Sequence, residues 1–579
     1  MVNHGRSIGC KTCKQRRVRC DGAKPLCREC SRVGYRCQGY TEEPLRLRFQ
    51  VPEIKNKGKR QQSIRIRTKR HLVPVKSTPS TPCPLKQRLL SVTEHVKTAA
   101  VSTFLAHVAV LGRDFESTRG LLEVLVPTLA VESPGSPLPL ALNVAALQFW
   151  SMAHGSAASS PVEILSEANA CLRSAIQDPV QRSREGTILA ALLLQRYERL
   201  SATWNSHKPS GLHRNGALAL LRQQQLDGIK SDNHGYLISQ VLHIEVSACI
   251  RKKEPFPIAE ITCMDNPAIL PANPSTMLDT IGVSVANHQH KFSLFLSGDP
   301  ASTASTSSIV QWLESIRHAE AQLQQWPHTV PSHWHPRSVK TYKNMDNTMD
   351  TFRGVSDVYP NIQIAAIWNV WRVYRVLLLR IRLRLLAEFP DLIVPSSDVE
   401  LTPSKTPLME PTDHDECQNP IQGLVDSICN SVPFHLGNLL KPIALSDLGD
   451  SNIQFPSYHD LDPTDFHYVK YLGSKYFMSR DDHRRHAIVQ GSWQMLHTLI
   501  HLVDVFADES ASGSLVGFLR KGQVYWIRQQ FLRVLKLLRL QHVGSSDHKT
   551  PHHTAGALAD YDPTNVEIIA TRVREALAR

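Results

Sequence analysis

The sequence lacks the features that identify several large classes of protein. No apolar run of signal-peptide length follows Met1, a pattern that disfavours export into an oxidising compartment. The most apolar segment of helical length, 361–389, is interrupted by arginines, so we expect no membrane-spanning segment. No phosphate loop, dinucleotide fingerprint, nucleophile elbow or metalloprotease helix occurs in the sequence, which therefore predicts no enzyme.

The composition is that of a folded chain with several parts. Hydrophobic residues make up 42% and charged residues 20% of the chain, which excludes wholesale disorder, collagen and coiled-coil fibre. A length of 579 residues exceeds what one hydrophobic core can organise. We therefore expect more than one folded unit.

Positive charge is concentrated at one end of the chain. The net charge is +14, yet residues 1–88 alone contain 23 Lys and Arg against 5 Asp and Glu. The remaining residues, 89–579, contain 43 Lys and Arg against 47 Asp and Glu. This asymmetry predicts a polyanionic partner, nucleic acid or an anionic membrane surface, for the N-terminal end.

The cysteines are as unevenly placed as the charge. Six of the twelve fall between positions 10 and 37, in a repeat of Cys-x2-Cys-x6-Cys that recurs after seventeen residues. These six cysteines are Cys10, Cys13, Cys20, Cys27, Cys30 and Cys37. In a reducing compartment such density favours metal binding over a disulfide knot, which is the alternative.

A ligand count indicates how six thiolates would bind metal. Each half of the repeat supplies three sulfurs, whereas structural zinc takes four ligands in a tetrahedron. If Cys10 and Cys27 each bridge both metals, six sulfurs satisfy two zinc ions. We therefore expect two zinc ions per chain. A zinc module that binds protein or RNA instead of DNA is the alternative function.

The first half of the repeat is more basic than the second. Four of the six residues between Cys13 and Cys20 are cationic, against two of the six between Cys30 and Cys37. On a helix, Lys14 and Arg17 share one face with Arg16 adjacent, an arrangement that suits contact with guanine edges and phosphates. The candidate DNA-binding residues are Lys11, Lys14, Arg16, Arg17 and Arg19.

These residues resemble the DNA-binding domain of the fungal binuclear zinc-cluster transcription factors. Besides the six cysteines and the basic stretch, Asp21 and Pro25 stand where that family has them. The resemblance implies that Cys10 and Cys27 are the bridging ligands and that Arg16 and Arg17 contact a CGG-type triplet in double-stranded DNA. It also implies a regulator of genes transcribed by RNA polymerase II, in a pathway or a secondary-metabolite gene cluster, that works with the transcription machinery or co-regulators.

A basic segment follows the cysteine repeat, which we place at residues 6–40. Residues 41–88 are basic and contain Pro and Ser, a composition that predicts a flexible linker. Its cations predict a nuclear import signal and hence a nuclear location, with DNA-backbone contact or a solvated tail as alternatives. They are Lys55, Lys57, Lys59, Arg60, Arg65, Arg67, Lys69 and Arg70.

The rest of the chain has the apolar periodicity of amphipathic helices and few strand patterns. We predict a mostly α protein, with a large all-helical regulatory domain over 89–540 and a polar C-terminal tail over 541–579 that has a short helix at 563–578. The predicted helices are 85–111, 138–154, 161–177, 185–203, 214–226, 308–325, 361–389, 484–508 and 514–540. The predicted loops are near 132–139, 298–308, 394–420 and 545–556.

A second resemblance concerns this helical region. The segment 204–222, with Trp204, His213 and Gly216, is similar to the signature of the fungal-specific regulatory domain that accompanies many zinc clusters, as is the preceding helix with Tyr197 and Glu198. The resemblance implies a helical domain that controls activity through a partner or effector. The commonest form of the signature lacks the residues inserted before His213.

The start of the helical region has a heptad-like pattern from Leu89 to Val110, which suits a dimerising coiled coil. Its residues are small and lack flanking charge pairs, so we predict the first core helix of the large domain. A homodimer is therefore possible, but the sequence contains no strong coiled-coil pattern that supports one.

Other chemically active residues are expected to be structural. The histidine pairs 288/290, 333/335, 483/486 and 552/553 are predicted to lie at the surface or to cap helices. Cys249 and Cys429 are predicted to be small buried hydrophobic residues. The acidic segment 394–417 is either a disordered insertion or an activation segment.

Overall fold

The computed structural model divides the chain into two units, Met1–Thr81 and Pro82–Arg579, which are described separately. In the first unit the structure describes residues 10–16, 18, 20, 21, 27–34 and 37. In the second it describes residues 84–578 apart from 118–119, 155–161, 206–210, 229–230, 258–268, 299–305, 341–348, 391–412, 463, 465–477, 508–513 and 541–565.

The N-terminal unit contains two short helices that repeat one another. Helix α1 spans Lys11–Gln15 and helix α2 spans Arg28–Arg32, so each begins directly after the first cysteine of its half. Helix α2 is followed by Gly34 at φ +73°, a left-handed conformation that glycine adopts without steric cost. The short helices therefore turn the chain within each half of the cysteine repeat.

The second unit is built almost wholly from helices. These are α3 Pro84–Phe104, α4 Leu121–Leu129, α5 Pro137–His154, α6 Val162–Gln177, α7 Glu185–Asn205, α8 Leu212–Leu226, α9 His234–Lys252, α10 Pro274–Leu296, α11 Thr306–Gln325, α12 Ile362–Glu388, α13 Asp413–Leu436, α14 Arg480–His486, α15 Ser492–Val505, α16 Gln523–Leu537 and α17 Val566–Ala578. The mostly α prediction is confirmed.

Shorter elements join these helices. Two π-helical turns, Leu105–Val110 and Ala487–Gly491, follow α3 and α14. The strands β1, Arg337–Lys340, and β2, Val355–Val358, pair antiparallel, with Arg337 opposite Val358. The 3-10 turns are Trp326–His328, Ser332–Trp334, Leu445–Gly449, Tyr458–Asp460 and Leu515–Phe518.

Helix α12 lies at the centre of the second unit. The Asn361 side chain caps its start by accepting a hydrogen bond from the backbone N–H of Ile364, 2.9 Å away. Of the described helices, α12 is the one long and apolar enough to cross a membrane, and 78% of its most apolar window is buried inside the unit. Because it packs against α10, α11, α13 and α15, its apolar surface is covered on all sides, as in the core helix of a globular domain.

The first helix of this unit is a core helix. Ala100 and Phe104 of α3 are buried in the common hydrophobic core, and the π-helical turn that follows buries Val108. Phe104 meets the ring of Phe149 in α5 edge to face at 6.3 Å. Buried positions thus recur every four residues and face α5, which agrees with the predicted core helix.

Several helices that the sequence pattern did not predict are present. They are α4, α9, α10 and most of α13. The buried side of helix α10 includes polar residues such as Ser275, Thr276 and Asp279. These residues interrupt the apolar periodicity by which a helix is recognised in the sequence. Helix α13 begins at Asp413, so the predicted loop 394–420 is wrong at its end, while 391–412 lies outside the described residues. The helix predicted over 514–540 is broken at Gly522, which has φ +79°.

The boundaries of the helical unit differ from the predicted 89–540. The unit begins at Pro82, and α17 belongs to it rather than to a polar tail. Val566, Val573 and Leu577 are buried, and α17 packs against α7, α9 and α15. The apolar side of this helix is therefore part of the core, which corrects the prediction for 566–578.

The prediction of surface or capping histidines is wrong for four of them. His288, His333, His483 and His486 are buried. His288 accepts a hydrogen bond from Trp312 Nε1 at 3.1 Å, and His483 Nε2 lies 2.9 Å from the carbonyl oxygen of Pro456. Cys249 and Cys429 are buried, as predicted. His552 and His553 lie outside the described residues.

Candidate metal centre and nucleic-acid interface

Each half of the cysteine repeat places its first sulfur at the start of a helix. The backbone N–H of Cys13 donates to Cys10 Sγ at 3.3 Å, and that of Cys30 donates to Cys27 Sγ at the same distance. Both sulfurs thus accept a free N–H of a helical first turn, where the positive end of the peptide dipoles favours a thiolate. The local sequence Cys-x2-Cys therefore orients two thiols and stabilises negative charge on the first.

The six sulfurs of the repeat come together in two overlapping groups. Within each group the sulfur atoms all lie within 4.8 Å of one another. One group is Cys10, Cys13, Cys20 and Cys27; the other is Cys10, Cys27, Cys30 and Cys37. Cys10 and Cys27 belong to both groups, which is the arrangement that the ligand count requires of bridging thiolates.

The spacing of the sulfurs fits tetrahedral zinc. At a Zn–S bond of about 2.3 Å, two sulfurs of one tetrahedron are about 3.8 Å apart. Cys10 Sγ lies 3.6 Å from Cys27 Sγ and 3.7 Å from Cys30 Sγ, and Cys13 Sγ lies 3.7 Å from Cys27 Sγ. All six thiols are free of disulfide bonds. The donors therefore match two four-sulfur sites.

Burial makes these thiols poor anions in the absence of a cation. Burial raises the pKa of Cys10, and it raises the pKa of Cys13 to about 12. The N–H of Cys30 lowers the pKa of Cys27, yet burial and the neighbouring thiols raise it overall. Thiolates at these positions need positive charge close to sulfur, which a bound divalent metal supplies as it displaces the protons.

Asp21 links the end of the first half to the second helix. Its carboxylate accepts a hydrogen bond from the backbone N–H of Arg28, with Oδ1 at 3.1 Å and Oδ2 at 3.2 Å. Arg28 is the first residue of α2, so this carboxylate satisfies one of its free N–H groups. In the sequence, Asp21 could be singled out only by the family resemblance. Its role in capping α2 became visible only in the structure.

The structure describes three of the five candidate DNA-binding residues. Lys11 and Lys14 lie in α1, and Arg16 follows the helix with its side chain partly buried. The helix ends at Gln15, which is shorter than the one expected to carry Lys14 and Arg17 on one face. Arg17 and Arg19 lie outside the described residues, as do all the candidate import residues between Lys55 and Arg70.

The segment that resembles a regulatory-domain signature joins α7, α8 and α16. His213 of α8 lies with Nδ1 2.9 Å from Glu198 Oε1 and Nε2 2.9 Å from Asn169 Oδ1. Trp204 of α7 donates from Nε1 to the carbonyl oxygen of Leu538 at 2.9 Å and stacks on Trp493. These side chains tie early and late helices of the unit together, which is a structural role.

Comparison with known proteins identifies the N-terminal region. Residues 8–47 match the model of the fungal Zn(2)-Cys(6) binuclear cluster domain. Over 36 residues the chain is 47% identical to an uncharacterized transcriptional regulatory protein of Schizosaccharomyces pombe. That alignment covers 6% of this chain and 7% of the relative. No solved structure matches the chain.

Proposed function

We propose that this chain, whose residues 8–47 are a fungal-type Zn(2)-Cys(6) binuclear cluster domain, is a sequence-specific DNA-binding regulator of transcription. The observation that carries the proposal is the pair of four-sulfur groups sharing Cys10 and Cys27. Two zinc ions bound there supply folding free energy to a segment that is too small to form its own hydrophobic core. The metal thus fixes α1 and the basic residues that follow it.

DNA is recognised through the basic side of the first half. Arg16 and Arg17 contact base edges of a CGG-type triplet in the major groove, and Lys11, Lys14 and Arg19 contact phosphates or neighbouring bases. The concentration of positive charge in residues 1–88 supports this assignment, because phosphate contacts dominate affinity. The logarithm of affinity should fall with that of salt concentration, with a slope of about −0.9 for each phosphate neutralised.

The helical unit is the regulatory part of the protein, and the basic segment directs nuclear import. The resemblance of 204–222 to a regulatory-domain signature supports the first assignment, and the cations from Lys55 to Arg70 support the second. Deletion of 55–70 should move a fluorescent fusion of the full chain out of the nucleus. An unchanged nuclear signal would reject the import assignment while leaving DNA recognition intact.

Fluorescence anisotropy with purified, zinc-loaded full-length protein tests the central proposal. We expect CGG-containing duplexes to bind at least ten-fold more tightly than duplexes of the same length with scrambled triplets. Chelation of zinc should abolish this preference, and addition of zinc should restore it. Equal affinity for all duplexes would overturn sequence-specific recognition and favour a zinc module that binds protein.

A further inference from the structure

A cavity of about 190 Å³ lies inside the helical unit. It is lined by residues of helices α4, α7, α9, α12 and α15 and of the π-helical turn Ala487–Gly491. One water molecule needs roughly 10–15 Å³ of such space, so the cavity accommodates a ligand of metabolite size. The helices around it come from both ends of the unit, and a ligand there would contact most of the core.

Three arginines give this cavity its charge. Arg196 and Arg199 of α7 and Arg251 of α9 all line it, and Arg251 is only 5% exposed. Within the described part of the chain, no hydrogen bond or ion pair reaches the guanidinium group of any of the three. A buried charge without a partner is strongly unfavourable, so the arrangement is incomplete as a purely structural feature.

The remaining lining groups leave this charge uncompensated. Among the described residues that line the cavity, Glu123 is the single carboxylate, and its Oε1 lies 3.0 Å from Arg113 Nη1. Burial, followed by the nearby arginines, lowers the pKa of His497 and lowers that of His501 to about 3. Both imidazoles are therefore neutral near pH 7. The cavity keeps the positive charge of three arginines.

Other buried arginines of the unit show the contrast. Arg372 of α12 hydrogen-bonds to Tyr359 and Asn369 at 2.9 and 2.8 Å, and its Nη2 lies 3.9 Å from Asp357 Oδ2. Arg382 lies 3.5 Å from Glu320, which also faces Arg375 at 3.8 Å. Each of these three arginines of α12 thus has a carboxylate within 4 Å. The cavity arginines differ in lacking that partner.

We propose that the cavity binds a small organic anion with one or more carboxylate or phosphate groups. Planar guanidinium groups bind such oxyanions in a bidentate manner. Gln195, Gln240 and Gln494 line the same space, and a glutamine side chain carries a neutral amide that can donate hydrogen bonds. Apolar parts of the wall, at Leu122, Ile250 and Val373, would contact the carbon skeleton of the ligand. The occupant is therefore an anionic metabolite rather than a neutral or cationic one.

Binding is tested with zinc-loaded full-length protein and four probes: citrate, succinate, glycerol 3-phosphate and inorganic phosphate. At a hundred times its dissociation constant, a ligand that fits should raise the Tm of the helical unit by about 3 °C. Glycerol and succinamide, which lack the charges, should leave the Tm unchanged. The citrate and succinate arms separate carboxylate recognition from phosphate recognition. No binding of any probe at millimolar concentration would overturn the proposal.

Substitution of the cavity arginines localises the site. We expect Arg199→Met and Arg251→Met each to weaken binding at least ten-fold by isothermal titration calorimetry. Arg173→Met, on the exposed side of α6, is the matched control and should bind like the wild type. Because each cavity substitution removes a buried unpaired charge, the variants should unfold no earlier than the wild type without ligand. Undiminished affinity in both variants would contradict the assignment.

A variant that carries its own carboxylate provides a second test. Gln494→Glu places an anion of nearly the same shape among the lining residues, so it should raise the Tm without ligand and prevent probe binding. Gln311→Glu on the exposed side of α11 is the control and should do neither. A lower Tm for Gln494→Glu would show that the arginines do not require an anion, and would overturn the proposal. DNA binding is measured separately, so failure here leaves the proposed function standing.

Discussion

The carboxylate of Asp21 accepts a hydrogen bond at 3.1 Å from the backbone N–H of Arg28, seven residues later. Asp21 directly follows the third cysteine of the first half, and Arg28 directly follows the first cysteine of the second. The contact therefore joins the two halves through backbone and carboxylate, next to the sulfurs Cys20 and Cys27. It thereby helps to fix the positions of these two sulfurs in the folded unit.

Replacement of Asp21 by Ala should weaken zinc binding. Loss of a side chain that caps a helix costs about 1 kcal/mol, which corresponds to roughly five-fold in zinc affinity when metal binding and folding are coupled. A competition titration against a chromogenic chelator measures this change. Asp21→Asn keeps an oxygen acceptor and should lose less. Equal losses for the two variants would indicate that charge, and not the hydrogen bond, matters.

The two kinds of cysteine should differ in the number of metals lost. Cys10→Ser removes a sulfur from both groups, whereas Cys13→Ser removes a sulfur from one. We expect native mass spectrometry to show that Cys10→Ser retains no firmly bound zinc and that Cys13→Ser retains one ion in part of the population. DNA affinity should be lost with the metal in Cys10→Ser. A Cys10→Ser protein with one firmly bound zinc would contradict the bridging assignment.

The cysteine centre could be predicted from sequence because its chemistry is strict. Zinc takes four ligands, so six sulfurs in a repeated spacing permit few solutions. The repeat makes three pairs of cysteines equivalent, and the family resemblance selects the first pair, Cys10 and Cys27, as the bridging ligands. The structure places these two sulfurs in both groups. Periodicity likewise predicted α5, α6 and α7 nearly to their ends, since each has an uninterrupted apolar face.

What sequence could not predict depends on contacts between distant segments. Asp279 of α10 is fully buried, and its Oδ1 lies 2.9 Å from Nδ1 of His243 in α9. The residues adjacent to either one in the sequence do not indicate this pairing. The cavity is a similar case. Arg196 and Arg199 follow an apolar run in α7, and this pattern is the feature of the local sequence that draws attention to them. Their approach to Arg251 of α9 results from the packing of the helices, which the sequence pattern does not predict.

Arg17→Ala should reduce DNA affinity in a sequence-dependent way. Loss of a bidentate contact to guanine costs about 1–3 kcal/mol and relaxes the preference at one base pair. Anisotropy titrations against duplexes with each base at each triplet position measure both effects. Arg32→Ala is the matched control, because Arg32 lies in the second half and pairs with Glu29 at 2.8 Å. Equal weakening by Arg17→Ala on every duplex would make Arg17 a phosphate contact.

The helical unit should lose stability on acidification because it buries neutral histidine. Burial lowers the pKa of His288 to about 4, and Trp312 Nε1 donates to its Nδ1 at 3.1 Å, a contact that protonation of Nδ1 would destroy. In the unfolded chain histidine titrates near pH 6.5, so between pH 6.5 and 4 the unfolded state binds the proton and the folded state does not. The free energy of unfolding should therefore fall across this interval, by on the order of 3 kcal/mol from His288. Above pH 7 the contribution of His288 should not depend on pH.

Urea unfolding at pH 8 and pH 5 measures this difference in the free energy of unfolding, and His288→Gln should show a smaller difference between the two pH values. The same pH dependence in the variant would assign the acid sensitivity to the other buried histidines, His435 and His483, whose pKa values burial also lowers, to about 4 and about 3.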